Sequence, residues 1–226
     1  MLDIGGESTR PGATPVSVEE ELRRTIPVIE ALCRRAAVPL SIDTTKSAVA
    51  AAALQAGAWV VNDVSGLRFD PAMAATIAGQ GAGVVVMHSR GAFNELASYA
   101  HTEYPDGVSG TVARELGEAV RRATDAGVPL DHVAVDPGFG FAKTPEQNIV
   151  LLDRLDAVAA LGRPLFVGLS RKRFLGELTG RAADDRDRAT AAACAAAHAR
   201  GARLFRVHAP AAVRDALTLA HALATS

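Results

Sequence analysis

The sequence predicts an α/β fold, and within that class a (β/α)8 TIM barrel, on three observations. Short apolar runs alternate with amphipathic or alanine-rich segments seven times along the 226 residues, which is typical of parallel strands joined by helices. No linker interrupts this alternation, so we expect a single domain over residues 1–226. Polar residues follow every predicted strand, which favours a ring of groups at one barrel mouth over the single switch point of an open sheet.

The first half of the chain contains four predicted strands, at residues 2–4, 39–42, 59–61 and 83–86. Ser17 is the predicted N-cap of the first helix, because three glutamates occupy the first turn that follows it. An alanine-rich helix is expected over residues 46–56 and ends at Gly57. A short helix follows residues 70–71, and a longer one is expected over residues 111–126.

The second half contains three more predicted strands, at residues 133–135, 165–167 and 204–205. Thr144 and Pro145 form an N-cap and first-position pair, which predicts a helix over residues 145–161. A further helical stretch begins after Lys172 and is interrupted by a polar loop near residues 179–187. Pro210 opens the last helix.

Composition narrows the class of protein. The formal net charge is −1 and no basic tract occurs, so we expect no nucleic-acid partner. No apolar run approaches the roughly 18 residues of a membrane span, and the first ten residues do not resemble a signal peptide. Cys33 and Cys194 have no metal-ligand spacing, so they are expected to be reduced core residues of a cytoplasmic protein.

The polar residues at the strand ends form the candidate site, because on a barrel the carboxyl ends of all strands converge. They are Asp3, the loop from Glu7 to Arg10, Asp43, Asn62, Met87, His88, Asp136, the turn from Ser170 to Lys172, Arg206 and His208. Asp and Asn suit the donor and acceptor edge of a flat heterocycle. Arg, Lys and His beside a glycine-rich loop suit a phosphorylated leaving group.

Several members of this set have a simpler structural interpretation that the sequence leaves open. Asp43 suits a helix cap, Asn62 a turn with Asp63, and Asp136 a turn before Pro137. His88 is more simply interpreted as a strand-end histidine whose hydrogen bonds are satisfied, because no second histidine lies at ligand spacing. Lys172 stands at a helix start, where the helix dipole disfavours a cation.

Seven segments, taken in order and with their spacing, resemble the dihydropteroate synthase family over essentially the whole chain. They are DIGGESTRPGA, SIDTTK, VNDVSG, VMH, DPGFGFAKT, GLSRKRFLG and RVH. The resemblance implies a TIM barrel, usually a homodimer, that acts in folate biosynthesis and is the sulfonamide target. It implies that 6-hydroxymethyl-7,8-dihydropterin diphosphate condenses with 4-aminobenzoate, with Mg2+ present and pyrophosphate released.

The resemblance also implies a role for individual residues. Asp43, Asn62, Met87, Asp136, Phe141, Lys172 and Arg206 would form the pterin site. Thr9, Arg10, Pro11 and Ser170, together with Lys172, would frame 4-aminobenzoate. Arg206 and His208 would bind the diphosphate, and Lys172, Arg206 and Asp43 are the predicted catalytic residues.

One departure from the family concerns its first β/α unit, whose Asn-bearing loop is associated with Mg2+ and the diphosphate. This chain is expected to lack that strand and helix, so no metal ligand is assigned in it. The missing unit motivates one alternative, a non-catalytic or weakened pterin-binding paralogue. A pterin-dependent methyltransferase barrel is a second alternative, against which the STRP loop and the turn from Ser170 to Lys172 argue.

Overall fold

The computed structural model describes residues 1–9, 13–35 and 37–225, and their strands form a parallel, barrel-like sheet. The strands are β1 (Leu2–Gly5), β2 (Leu40–Asp43), β3 (Val60–Asp63), β4 (Gly83–Met87), β5 (Val133–Asp136), β6 (Phe166–Val167) and β7 (Leu204–Phe205). The helices are α1 (Val18–Arg35), α2 (Ser47–Gln55), α3 (Met73–Gly79), α4 (Val108–Asp125), α5 (Pro145–Asp153), α6 (Asp156–Ala159), α7 (Arg173–Thr179), α8 (Asp187–Ala199) and α9 (Pro210–Ala224). The predicted α/β class is therefore confirmed.

The predicted helix boundaries are confirmed where a cap or a glycine marks them. The Ser17 hydroxyl accepts a hydrogen bond from the Glu20 amide at 3.2 Å, just ahead of α1. Thr144 and Gln147 form a reciprocal capping box at the start of α5. Gly57 follows α2 with a φ of +112°, in the region that other residues rarely adopt.

Other boundaries differ from the prediction, most of them by one residue. The helix expected over residues 145–161 is divided into α5 and α6. Helix α4 begins at Val108, three residues earlier than predicted, because Gly107 takes a φ of +83° and lets the chain turn directly into the helix. Trp59 precedes β3, and its side chain is exposed, although its backbone still pairs with Leu40 and Gly83.

The strands pair in sequence order, from β1 to β5 in one sheet and from β6 to β7 in a second. A parallel bridge between Val135 and Leu165 joins the two sheets. In the described part of the chain, β1 and β7 have no strand partner on their outer sides. Leu2 and Leu204 on these edges are correspondingly 43% and 39% exposed.

Side chains alternate along each strand between two layers, as the pleat of a strand requires. One layer, which includes Val61, Val84 and Val135, belongs to the main apolar core shared with the helices. The other layer contains Val85, Ala134 and Phe166, which pack together inside the barrel. Met87 and Asp136 lie two positions beyond Val85 and Ala134, so they are on the same face of the sheet at the carboxyl ends of these strands.

Candidate active site

A guanidinium at the end of β7 connects both edges of the sheet. Arg206 Nε lies 2.6 Å from Asp3 Oδ2, and Arg206 Nη2 lies 3.0 Å from Asp43 Oδ2. These two ion pairs link β7 to β1 and β2, although β7 and β1 share no ladder in the described residues. Arg206 and Asp43, both predicted as catalytic, are therefore in direct contact.

Asp3, predicted as a strand-end residue of the site but assigned no substrate contact, is the centre of this polar cluster. Its Oδ1 accepts a hydrogen bond from the Ser41 hydroxyl at 2.6 Å, and its Oδ2 accepts one from Asn62 Nδ2 at 3.2 Å. Because the Asn62 amide nitrogen donates to Asp3, the buried Asn62 side chain has a fixed orientation. The turn role proposed for the Asn62–Asp63 pair belongs to Asp63, whose carboxylate accepts the amides of Ser65 and Leu67.

The surroundings of Asp43 in this cluster disfavour its ionised form. Burial, and then the neighbouring carboxylate of Asp3, raise the pKa of Asp43 to about 7, while Arg206 acts in the opposite direction. The helix-cap interpretation of Asp43 is wrong, because α2 is preceded by Lys46 and has no side-chain cap. A carboxyl group that titrates near neutral pH beside an arginine is characteristic of a functional site.

Asp136 ends β5 directly opposite Met87 of β4. Its Oδ1 accepts a hydrogen bond from the Gly138 amide at 2.7 Å, which confirms the predicted turn. Burial raises the pKa of Asp136 to about 6, although the Gly138 amide and Lys172 oppose this shift. Because one oxygen suffices for the turn, the second leaves a carboxylate acceptor at the strand end.

Lys172 and Phe141 form one wall of the mouth. The Lys172 ammonium lies 4.2 Å from the centre of the Phe141 ring, within the range of a cation–π contact. Burial lowers the pKa of Lys172 to about 8, with Asp136 opposing the change. Phe141 and Met87 belong to the same small apolar cluster, so the structure brings these predicted residues together.

Ser170 and His208 form a pair between the ends of β6 and β7. Ser170 Oγ lies 2.8 Å from His208 Nδ1, and the His208 amide donates to the same oxygen at 3.2 Å. Arg171 beside them takes a φ of +56°. The Arg186 guanidinium donates to the carbonyls of Arg171 and Lys172, so it braces this tight turn from the segment ahead of α8.

The loop after β1 is anchored by a buried ion-pair cluster. Lys46 Nζ lies 2.7 Å from Glu7 Oε2 and 2.6 Å from Glu21 Oε2. Glu7 Oε1 also accepts the Val16 amide at 2.6 Å, so one carboxylate joins the two ends of the loop. Thr9 lies within this loop and is half-buried, whereas the predicted site residues Arg10 and Pro11 lie outside the described residues.

His88 is satisfied by neighbours rather than presented to the mouth, as the simpler interpretation predicted. Its Nε2 lies 2.9 Å from Glu115 Oε2, and its Nδ1 lies 3.0 Å from Lys143 Nζ. Neither partner, Glu115 nor Lys143, was predicted from the sequence. Lys143 directly precedes the cap Thr144 and resembles a solvated helix-start lysine, and Glu115 occupies an ordinary helix position.

The described residues do not form a metal cage. Among residues 1–9, 13–35 and 37–225, no three His, Cys, Asp or Glu side chains are grouped as metal ligands. The carboxylates closest to such an arrangement, Asp3 and Asp43, both accept hydrogen bonds from Arg206.

The apolar cleft between α5 and α8 is not part of the site. It has a volume of about 510 Å³ and is lined by residues such as Ile149, Val150 and Ala196. Of its charged lining residues, Asp153 pairs with Arg200 at 2.8 Å and lies 3.9 Å from Arg154. The strand-end cluster instead combines convergent polar groups with shifted pKa values, which identifies it as the candidate active site.

Comparisons with known proteins identify the family of the chain. The model of the family described as pterin binding enzyme matches residues 1–208. A dihydropteroate synthase from Synechocystis is 46% identical over 210 residues, which are 92% of this chain and 71% of that protein.

Two solved structures share the fold. The dihydropteroate synthase of Xanthomonas albilineans in complex with 7,8-dihydropteroate is 44% identical, with a TM-score of 0.88 over 100% of this chain and 79% of that one. The Yersinia pestis dihydropteroate synthase with a sulfonamide drug complex is 36% identical, with a TM-score of 0.93 over 100% and 81%. The architecture is therefore that of a TIM barrel, and the chain belongs to the pterin binding enzyme family, among its dihydropteroate synthases.

Proposed function

We propose how this site carries out the dihydropteroate synthase reaction, in which 6-hydroxymethyl-7,8-dihydropterin diphosphate and 4-aminobenzoate give 7,8-dihydropteroate and pyrophosphate. One observation carries the assignment. Buried acceptors at the ends of β2, β3 and β5 stand beside the cations Lys172 and Arg206 at the same mouth. A flat, polar heterocycle that bears an anionic leaving group requires this combination of acceptors and cations.

The pterin ring would be held by its polar edge. The free oxygen of Asp136 would accept hydrogen bonds from the amino-pyrimidine edge, and Asn62 and Asp43 would pair with the remaining ring atoms. Met87 and Phe141 would line the pocket, because both belong to the apolar cluster at this mouth. The raised pKa of Asp136 supports a carboxyl group kept in apolar surroundings for a ligand rather than for solvent.

The diphosphate would lie against Arg206 and His208. Arg206 is 45% exposed even while it pairs with Asp3 and Asp43, so its guanidinium is accessible to an anion at the mouth. As pyrophosphate leaves, positive charge develops on the exocyclic methylene carbon, and the arylamine nitrogen attacks that carbon. Lys172 and Arg206 would stabilise the departing charge, and Asp43 would orient Arg206.

The 4-aminobenzoate would bind between the loop after β1 and the turn after β6. Thr9, Arg10 and Pro11 would frame it on one side, with Ser170 and Lys172 on the other. The Glu7–Lys46 ion pair supports this placement, because it fixes the ends of the first loop next to the pterin site. Sulfonamides, which carry a similar arylamine, are expected to compete for this position.

Four further properties complete the proposal. Mg2+ would arrive with the diphosphate, since this cation is commonly held by few carboxylates plus substrate phosphates. The main apolar core extends from Ile29 to Val213, which supports one domain over residues 1–226. Cys33 and Cys194 are both free thiols, which supports a cytoplasmic location. Among the described residues, no helix has both the length and the apolar character to cross a membrane. The exposed Leu219 of α9 supports a homodimer through the last helices.

We also propose that a further strand and helix, corresponding to the family's first unit, complete the barrel between β7 and β1. The unpaired outer sides of these two strands support this, together with the partly exposed Leu2 and Leu204. The seven units of this chain would then be seven of eight. Their ends are already held together by Arg206, whose ion pairs with Asp3 and Asp43 cross the opening.

The test is formation of dihydropteroate by the purified chain and by a form extended with the missing unit. Arg206→Met should lower turnover by about 100-fold, because it removes the cation that faces the leaving group. Arg203→Met is the matched control, since the Arg203 guanidinium donates to the carbonyls of His198 and Ala202 rather than to a residue of the site. Pterin binding without turnover in either form would instead support the weakened paralogue.

A further inference from the structure

A completely buried lysine lies behind the pterin pocket and takes no part in the mechanism above. Lys143 is 0% exposed. Its ammonium lies 3.0 Å from His88 Nδ1, 3.0 Å from the Gly138 carbonyl and 3.0 Å from the Phe141 carbonyl. An ammonium group has three N–H bonds and no acceptor, so these three partners use all of its hydrogen-bonding capacity.

The contact with Lys143 fixes the tautomer of His88. Because the ammonium can only donate, His88 Nδ1 must accept, and the ring proton must reside on Nε2. His88 Nε2 then donates to Glu115 Oε2 at 2.9 Å. Arg90 holds the same carboxylate through both oxygens, at 3.1 and 2.5 Å. Burial first, and then the Lys143 charge, lower the pKa of His88 to about 3, so the ring stays neutral.

The two carbonyls bound by Lys143 belong to the turn that shapes the pocket. Gly138 carries the amide that holds Asp136, and a Cβ on Gly138 would lie 1.9 Å from the His88 carbonyl oxygen. Phe141 carries the ring beneath the Lys172 ammonium. The Lys143 ammonium thus bridges Gly138 and Phe141 on the side of the turn away from the pocket. Gly140, which lies between them, packs against the Lys172 side chain.

We propose that Lys143 is a positioning residue for pterin binding: its ammonium, held by His88, which Glu115 orients in turn, fixes the 138–141 turn that places Asp136 and Phe141. This inference rests on the proposed function of the mouth as the pterin site. Lys143 cannot touch a ligand itself, because its side chain is fully enclosed and its three protons are engaged.

The charge state of Lys143 matters to this role. A neutral amine would have only two N–H bonds, so one of its three present partners, His88 Nδ1 or a carbonyl of the turn, would lose its donor. Burial lowers the pKa of Lys143 to about 7. The charged groups that act on it are Asp136 and Glu115, which raise its pKa, and Lys172 and Arg90, which lower it.

The experiment compares Lys143→Met with the unmodified chain. We expect the dissociation constant for 6-hydroxymethylpterin, a probe without the diphosphate, to rise at least tenfold, while the KM for 4-aminobenzoate changes less than twofold. Leu155→Ala is the control for lost stability, since this buried core residue belongs to the linker between α5 and α6.

A second pair of variants keeps the test independent of the folding of Lys143→Met. His88→Asn retains an acceptor for the ammonium, whereas His88→Leu removes it. Pterin affinity should be retained better in His88→Asn than in His88→Leu, by at least fivefold. Equal losses in both variants, or equal changes for pterin and 4-aminobenzoate, would contradict the positioning role. If the unmodified chain binds no pterin, the proposed function fails first, and the inference fails with it.

Discussion

Replacing Asp136 by Asn should stabilise the substrate-free fold and at the same time abolish tight pterin binding. The side chain is 5% exposed, and burial raises its pKa from 3.8 to about 6. Ionising Asp136 is therefore harder in the folded chain than in the unfolded one. Asn retains the oxygen that accepts the Gly138 amide, so the turn itself should survive the substitution.

The sign and size of the stability change follow from linkage. Asp136 contributes no penalty when the pH is below both pKa values, and the penalty grows until the pH exceeds the folded value. Its upper limit is about 3 kcal/mol, from a shift of about two pKa units at 1.36 kcal/mol each. The attraction of Lys172 and Lys143 for the carboxylate is already included in this net shift, so we expect a gain of about 2–3 kcal/mol at pH 8.

Chemical denaturation of both proteins at pH 5 and pH 8 measures this effect. The stability advantage of Asp136→Asn should grow by about 1 kcal/mol between the two values, because the wild-type carboxyl ionises in that interval. Asp43 titrates in both proteins and cancels in the difference to first order. Pterin affinity should fall by about 100-fold, as expected for a lost charge-assisted pair. An Asn variant less stable than wild type at pH 8, or an advantage independent of pH, would refute the reasoning.

Three other substitutions have defined outcomes. Gly138→Ala should destabilise the chain by at least about 3 kcal/mol in denaturant titrations, because its Cβ would overlap the His88 carbonyl at a φ of +68°. Gly110→Ala is the matched control in α4, where nothing obstructs a Cβ, and should gain about 0.5–1 kcal/mol. Lys46→Met should raise the KM for 4-aminobenzoate about tenfold, with pterin affinity retained, because the ends of the loop after β1 lose their anchor; equal effects on both substrates would contradict this. Leu219→Glu should shift a dimer towards monomer in sedimentation velocity, and an unchanged profile would exclude α9 from the interface.

The fold was predictable because its local signals agree with one another. The caps at Ser17 and Thr144, the glycine after α2 and the apolar strands all point to the same alternation, and the structure contains it. The break between Asp153 and Asp156 was not predictable in the same way. No glycine or proline marks it, and the apolar spacing alone favours one continuous helix.

Only one part of the candidate site was predictable from the sequence, namely which strand-end residues lie together at the barrel mouth. Strand ends converge in any such barrel, so Asp43, Asn62 and Asp136 could be grouped without knowledge of their contacts. Contacts that depend on tertiary packing gave no signal. Glu115 lies 27 residues from His88, and Lys143 lies 55 residues from it, so only the folded structure shows that the three side chains form one network.

The distribution of primary amines gives the site a chemical signature. Only three of the 24 Lys and Arg residues in the sequence are lysines, at positions 46, 143 and 172, and the others are arginines. All three lysines belong to the barrel mouth or to the turn behind it. Apart from a terminal amine, an acylating reagent at neutral pH therefore has no lysine target elsewhere on the protein. Lys172, with a pKa of about 8, should react readily, whereas enclosed Lys143 should be modified only when the surrounding turn opens. Counting added acyl groups by mass spectrometry would thus report both occupancy of the pocket and the opening rate of the turn behind it.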